Sequence, residues 1–148
     1  MDIKDFLSPA DVLSDARVSD KTSLLRELSR RVPSMLGLSA DVVAGDLLKR
    51  EALGSTGMGN GVALPHARFR DLKKPFGILA RLRKPIPFDA IDGRPIDIVF
   101  LLLLPSESGG EPLNALACVA RKLRDPKALD ALRGAKTDGA LYRAMVDG

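Results

Sequence analysis

The sequence predicts an α/β fold in which a small mixed β-sheet is flanked by helices, on three observations. Apolar residues recur at helical spacing in both outer thirds of the chain, from Leu24 to Leu47 and from Leu113 to Met145. Strand-like segments are confined to the middle third. One of them, "IDIVFLLLLP", is apolar on both faces, as a central strand covered by helices on both sides must be. At 148 residues the chain suits one domain, residues 1–148, which needs neither a disulfide nor a metal to bury a sufficient core.

The elements follow in order. After "SPADVL" comes a short extended piece around Ala16 to Val18, and Asp20 is placed to cap a helix carrying Leu24, Leu25, Leu28 and Val32. Pro33 removes a ladder bond there, so the helix kinks or ends early. Ser39 caps a second helix with Val43 and Leu47 on one face and Arg50 one turn on, and Gly54 ends it. "GVALPH" is a short strand that stops at Pro65. "FGILARLR" alternates Ile78, Ala80 and Leu82 with polar positions, which predicts one wet face. "KPIPFDAIDGRP" reads as a connection, since it holds prolines and an Asp-Gly turn. Beyond the long strand, Pro112 suits a first helical turn, with Arg121, Lys122 and Arg124 at the negative end of that helix. Asp125-Pro126 starts a short helix to about Gly134, and Thr137 caps the last one through Met145.

Composition excludes several function classes. The 45% apolar and 28% charged content is that of an ordinary globule. The single cysteine, Cys118, lies in a helical apolar stretch and reads as a small buried hydrophobe. No signal peptide is visible, and the run Ile98 to Leu104 is far too short to span a membrane, which predicts a cytoplasmic protein with no membrane span. The net charge of +4 is scattered, there is no Trp and only one Tyr, and no zinc-finger, RRM or KH signature occurs, so nucleic acid is not the expected partner.

The candidate chemistry lies in "GSTGMGNGVALPHARF", Gly54 to Phe69, which ends near the only histidine, His66. The loop has no Walker lysine, and Gly57, Gly59 and Gly61 are misspaced for a dinucleotide fingerprint. One histidine and one cysteine make a metal site an unpromising reading, and no metal or other cofactor is expected. Ser55 lies near His66, but no G-x-S-x-G elbow supports a hydrolase. A neutral imidazole can instead act as the nucleophile and take a phosphoryl group. Gly57 and Gly59 then let the backbone approach the anion, Ser55 and Thr56 add donors, and Arg50 supplies a charged fork. The plainer alternative is that the glycines make turns and His66 is a half-buried structural residue.

The runs "KREALGSTGMGNGVALPHAR" and "PIPFDAIDGRPIDIVFLLLLP" resemble the type-2 IIA components of the bacterial phosphotransferase system, and among them the nitrogen-regulatory proteins. The pattern falls on Arg50-Glu51, Gly54 through Gly61, Leu64-Pro65-His66 and Phe88-Asp89-Ala90-Ile91-Asp92, and the resemblance extends from about Leu13 to Met145. It implies a three-layer α/β/α sandwich. It also implies that His66 accepts phosphate, on Nε2, from a small histidine phosphocarrier protein while Arg50 balances the charge. The family commonly has a second histidine early in the helix after the long strand, where this chain has Asn114. The implied role is regulatory, by phosphorylation-dependent binding to target proteins. The alternatives are a sugar-specific IIA that passes phosphate to a transporter's next domain, and a binding module that has lost transfer.

Overall fold

The computed structural model describes residues 1–106 and 110–147, and residue 148, the expected end of the domain, lies outside them. In chain order the elements are β1 (Val12–Ala16), α1 (Lys21–Ser29), α2 (Ala40–Leu53), β2 (Gly57–Gly59), β3 (Val62–Ala63), β4 (His66–Phe69), β5 (Phe76–Ile86), β6 (Ile96–Pro105), α3 (Gly110–Arg124), α4 (Pro126–Gly134) and α5 (Asp138–Val146). The strands form one mixed sheet in the order β1-β5-β6-β3-β2, with β4 also paired to β6. The apolar run is its centre: β6 is antiparallel to β5 and parallel to both β3 and β4.

Alternation along β6 sorts the core into two layers. Val99, Leu101 and Leu103 face Leu24, Leu28 and Leu47 of α1 and α2. Ile98, Phe100 and Leu102 face Val119, Leu132 and Leu141 of α3, α4 and α5. A strand with no polar face is stable only when helices cover both sides, and this is the three-layer α/β/α sandwich that the resemblance implies. Each fully buried Leu, Ile or Phe contributes about 1.5–3 kcal/mol of transfer free energy. Phe6 adds an edge-on contact to Phe100, with ring centroids 6.2 Å apart.

The capping residues sit where the sequence puts them. Asp20 accepts from the Ser23 N–H at 2.7 Å, Ser39 from Val42 at 3.1 Å, Asp125 from Lys127 at 3.1 Å and Thr137 from Ala140 at 3.0 Å. α1 ends at Ser29, whose carbonyl the Pro33 ring would meet if the helix ran on, and Pro33 has no N–H to bond it.

Four local readings change. The first strand is Val12–Ala16 rather than Ala16 to Val18, because parallel pairing with β5 begins at Val12↔Leu79. β5 has no wet face along its middle: Leu79 is fully buried, and Arg81 is half-buried with its guanidinium donating to the carbonyls of Leu132 (2.8 Å) and Ser14 (3.2 Å). β5 also runs on through Pro85 to Ile86, and it does so across an irregularity in the β5–β6 register, where a missing N–H breaks no regular ladder bond. Finally, Cys118 is half-buried rather than buried, with its thiol donating to the Met1 carbonyl at 3.6 Å.

Candidate functional site

His66 opens β4, paired in register with Leu102 of the central strand. The line of β3 does not simply stop at Pro65; it breaks over Leu64-Pro65 and resumes as β4. Proline has no N–H to give a ladder, yet its carbonyl still accepts from the Leu102 N–H at 2.9 Å, so the break is anchored. The break also turns the Leu64 carbonyl toward the ring, where His66 Nδ1 lies 2.8 Å from it. A carbonyl can only accept, so Nδ1 carries the proton and Nε2 keeps its lone pair.

Partial burial pushes the His66 pKa below its ordinary value. The cations of Arg50 and Arg68 push it the same way, while the Leu64 carbonyl and the Glu51 carboxylate oppose them. The result is a neutral imidazole near pH 7. Its surroundings are of two kinds: cations suited to an incoming anion, and acceptors suited to positive charge on the ring.

The glycine run is a β-hairpin. β2 and β3 pair antiparallel through Gly57↔Ala63 and Gly59↔Val62, and Asn60 (φ 57°) and Gly61 (φ 80°) make the tight turn between them. Gly57 and Gly59 thus lie in a paired edge strand rather than in an open loop. What Gly57 answers to is the second motif: a Cβ there would come within 2.7 Å of the Ala90 Cβ. Ser55 and Thr56 also have other engagements. The Ser55 hydroxyl donates to the Phe88 carbonyl at 2.7 Å and accepts from the Gly57 N–H at 3.0 Å. Thr56 is buried, and both its N–H and its hydroxyl donate to Glu51. In this arrangement neither side chain has a hydroxyl hydrogen left for phosphate.

The two quoted motifs thus interlock. Asp92 closes the far end of the contact by accepting from the Asn60 N–H at 2.9 Å and the Arg94 N–H at 3.1 Å, and these bonds hold its carboxyl below the usual range. Arg133 of α4 braces the hairpin turn through Asp97 (3.0 Å) and the Asn60 carbonyl. Arg50, at the end of α2, donates to the Gly54 carbonyl at 2.8 Å, which orients the guanidinium on the side of the hairpin's entry. Asn114 is the fifth residue of α3, early in the helix as expected, and its side chain is exposed.

Sequence reasoning missed Lys21 and gave Glu51 no role. Glu51 is 7% exposed, and the Lys21 ammonium lies 3.1 Å from its carboxylate and 3.5 Å from that of Asp89. The same ammonium sits 4.5 Å above the centre of the Phe88 ring. A lysine that pairs across more than 25 positions leaves no local pattern, whereas Glu51 in the Arg-Glu pair did carry a signal. Among the described residues no three His, Cys, Asp or Glu side chains converge as metal ligands, and no helix is long and apolar enough to cross a membrane.

Fold and site together define a small α/β protein that presents one neutral, oriented imidazole at its sheet. Residues 5–147 match the model of the phosphoenolpyruvate-dependent sugar phosphotransferase system EIIA 2 family. The chain is 41% identical over 145 residues to a nitrogen regulatory protein of Bradyrhizobium diazoefficiens, covering 98% of this chain and 95% of that one. Its structure superposes on nitrogen regulatory protein IIA of Neisseria meningitidis with a TM-score of 0.91 at 33% identity, covering 97% and 98% of the two chains. The mannitol IIA of Escherichia coli shares the fold, with a TM-score of 0.75 at 15% identity over 93% of this chain and 97% of that one. The chain belongs to the type-2 EIIA family of the phosphotransferase system, on its nitrogen-regulatory side.

Proposed function

We propose that His66 is a transient phosphoryl acceptor, loaded by a small histidine phosphocarrier protein, and that its phosphorylation state selects which target proteins this chain binds. The observation that carries the reading is the tautomer: Nδ1–H is tied to Leu64, so the Nε2 lone pair is the nucleophile. As the Nε2–P bond forms, the bond from phosphorus to the donor's ring nitrogen breaks, and that nitrogen regains its lone pair. The His66 ring becomes cationic in the step, and the Leu64 carbonyl and Glu51 favour that charge. Arg50 and Arg68 favour the two negative charges on the phosphoryl oxygens.

Ser55, Thr56, Gly57 and Gly59 support this site by building the hairpin rather than by touching phosphate. Asn114 supports loading without titrating, because an amide can donate a hydrogen bond but carries no proton to exchange. We assign the activity to one domain, residues 1–148, working in the cytoplasm without cofactor. The test is incubation with the general phosphotransferase enzyme, a histidine phosphocarrier and labelled phosphoenolpyruvate. Acid-labile label is expected on the wild type and none on a folded His66→Ala variant. Label that persists on His66→Ala refutes the assignment.

A further inference from the structure

One ion pair followed by hydrogen bonds leads from Lys21, at the start of α1, to the reactive ring. The Lys21 ammonium, its side chain 18% exposed, holds Glu51 Oε1 at 3.1 Å. Both Glu51 oxygens accept from the Thr56 N–H at 3.2 Å, and Oε2 also accepts from the Thr56 hydroxyl. The Thr56 carbonyl accepts from the Leu64 N–H at 3.1 Å, and the Leu64 carbonyl accepts from His66 Nδ1 at 2.8 Å. Every link is buried or half-buried, where a polar interaction is stronger and an unmet one costs more.

We propose that Glu51 is the positioning residue for His66: it fixes Thr56, Thr56 anchors the Leu64 backbone through its N–H, and the Leu64 carbonyl on the other side of that residue fixes the tautomer and aim of the imidazole. The inference rests on His66 being the phosphoryl acceptor and adds the residue that prepares it. The chemistry asks for a carboxylate at this place. Only an acceptor with two oxygens can take two donors from Thr56 and one from Lys21 together. A carboxamide would turn its NH2 toward one of them. The carboxylate charge also favours the cationic ring formed during transfer, and Lys21 keeps that charge tolerable in a buried position. Lys21 does so while also contacting Phe88 and Asp89, so one ammonium joins α1, α2 and the segment that clasps the hairpin.

The test uses the fact that the chain has a single histidine, so its ring signals need no assignment. Long-range proton–nitrogen NMR of the unphosphorylated protein reads the tautomer directly, and labelling by the phosphocarrier reads the rate. The wild type is expected to show the Nδ1–H form alone. Glu51→Gln should give a mixture with the Nε2–H form and slow phosphorylation by roughly tenfold to a hundredfold, the scale of a small misplacement of a reacting group. Thr56→Val, which removes the hydroxyl and keeps the branched shape, should shift both readouts in the same direction. Thr56→Ser, which keeps the hydroxyl, should restore them. Circular dichroism confirms folding, and if Glu51→Gln fails to fold, the two Thr56 variants carry the test alone.

A single Nδ1–H tautomer in folded Glu51→Gln or Thr56→Val overturns the proposal. So does a mixed tautomer with phosphorylation within about twofold of wild type. If the wild type takes no label at all, it is the acceptor reading that fails, and the tautomer comparison still decides whether Glu51 holds the ring.

Discussion

Replacing Gly57 by alanine separates the two reasons a glycine can stand beside the site histidine. A Cβ at this position would lie 2.7 Å from the Ala90 Cβ and 2.8 Å from its Cα, with the Ser55 Oγ at 3.2 Å. Two of these atoms belong to or sit on the backbone of the segment that clasps the hairpin, so they have no rotamer by which to withdraw. Relief requires the hairpin and the Phe88–Asp92 segment to part by several tenths of an ångström, an overpacking that costs about 2 kcal/mol. In a domain of this size that lowers Tm by roughly 4–8 °C. The assay is thermal unfolding of the unphosphorylated protein, followed by circular dichroism, for Gly57→Ala, Ala90→Gly and the double variant. Ala90→Gly alone costs about 1 kcal/mol through lost burial and added chain freedom. The double variant should nonetheless be more stable than the sum of the singles by about 1 kcal/mol, because the closest clash has been removed. Recovery stays partial, since the Ala90 Cα remains. A Tm for Gly57→Ala within about 1 °C of wild type, or a cycle with no coupling, would refute packing as the reason for this glycine. It would return the residue to the role of admitting phosphate.

Other outcomes are expected from the same structure. His66 titrates below its ordinary value in the folded chain, so between that lower pKa and about 6.5 the unfolded chain holds more protons. Its contribution to stability is therefore complete above about pH 6.5 and is lost as pH falls through the folded pKa; the slope of Tm against pH across this range should flatten in His66→Ala. Arg50→Lys keeps a cation but loses the planar fork, and should slow labelling of His66 or shorten the lifetime of the phosphoprotein; unchanged rates and lifetime would remove Arg50 from the site. Arg81→Met strips the guanidinium from the Leu132 and Ser14 carbonyls and should lower Tm by roughly 3–8 °C with no change in labelling rate. Asn114→His adds a titrating group, and a pH-dependent gain in onward transfer to a cysteine-bearing sugar-transport domain would show that the asparagine holds phosphate where a histidine passes it on.

Patterns that are local or periodic were legible before any coordinates. The helix caps at Asp20, Ser39, Asp125 and Thr137 depend on a side chain and an N–H two or three residues away, so sequence spacing determines them. The two-faced burial of β6 follows from its unbroken apolar run, and His66 stands out as the only imidazole. The glycine segment was legible as a motif but not as a hairpin, because very short strands around an Asn-Gly turn carry too little alternation to show one. β4 was hidden by Pro65, and the wet face assigned to β5 vanished under α4, since Leu79 and Arg81 are covered by chain about 50 positions further on.

The sequence by itself determined the α/β class, the helix caps and the histidine around which the candidate site is built. Only the tertiary structure decided what that residue's neighbours do. The Thr56 donors, the Ser55 hydroxyl and the Lys21 ammonium each had several acceptors open to them in sequence terms. The fold brings Glu51 of α2 and Phe88 and Asp89 of the β5–β6 connection within bonding distance, and that proximity gives the expected phosphate donors other partners. Hydrogen bonds of this kind fall off within an ångström of their ideal length, so no spacing rule along the chain can stand in for the packing that closes them.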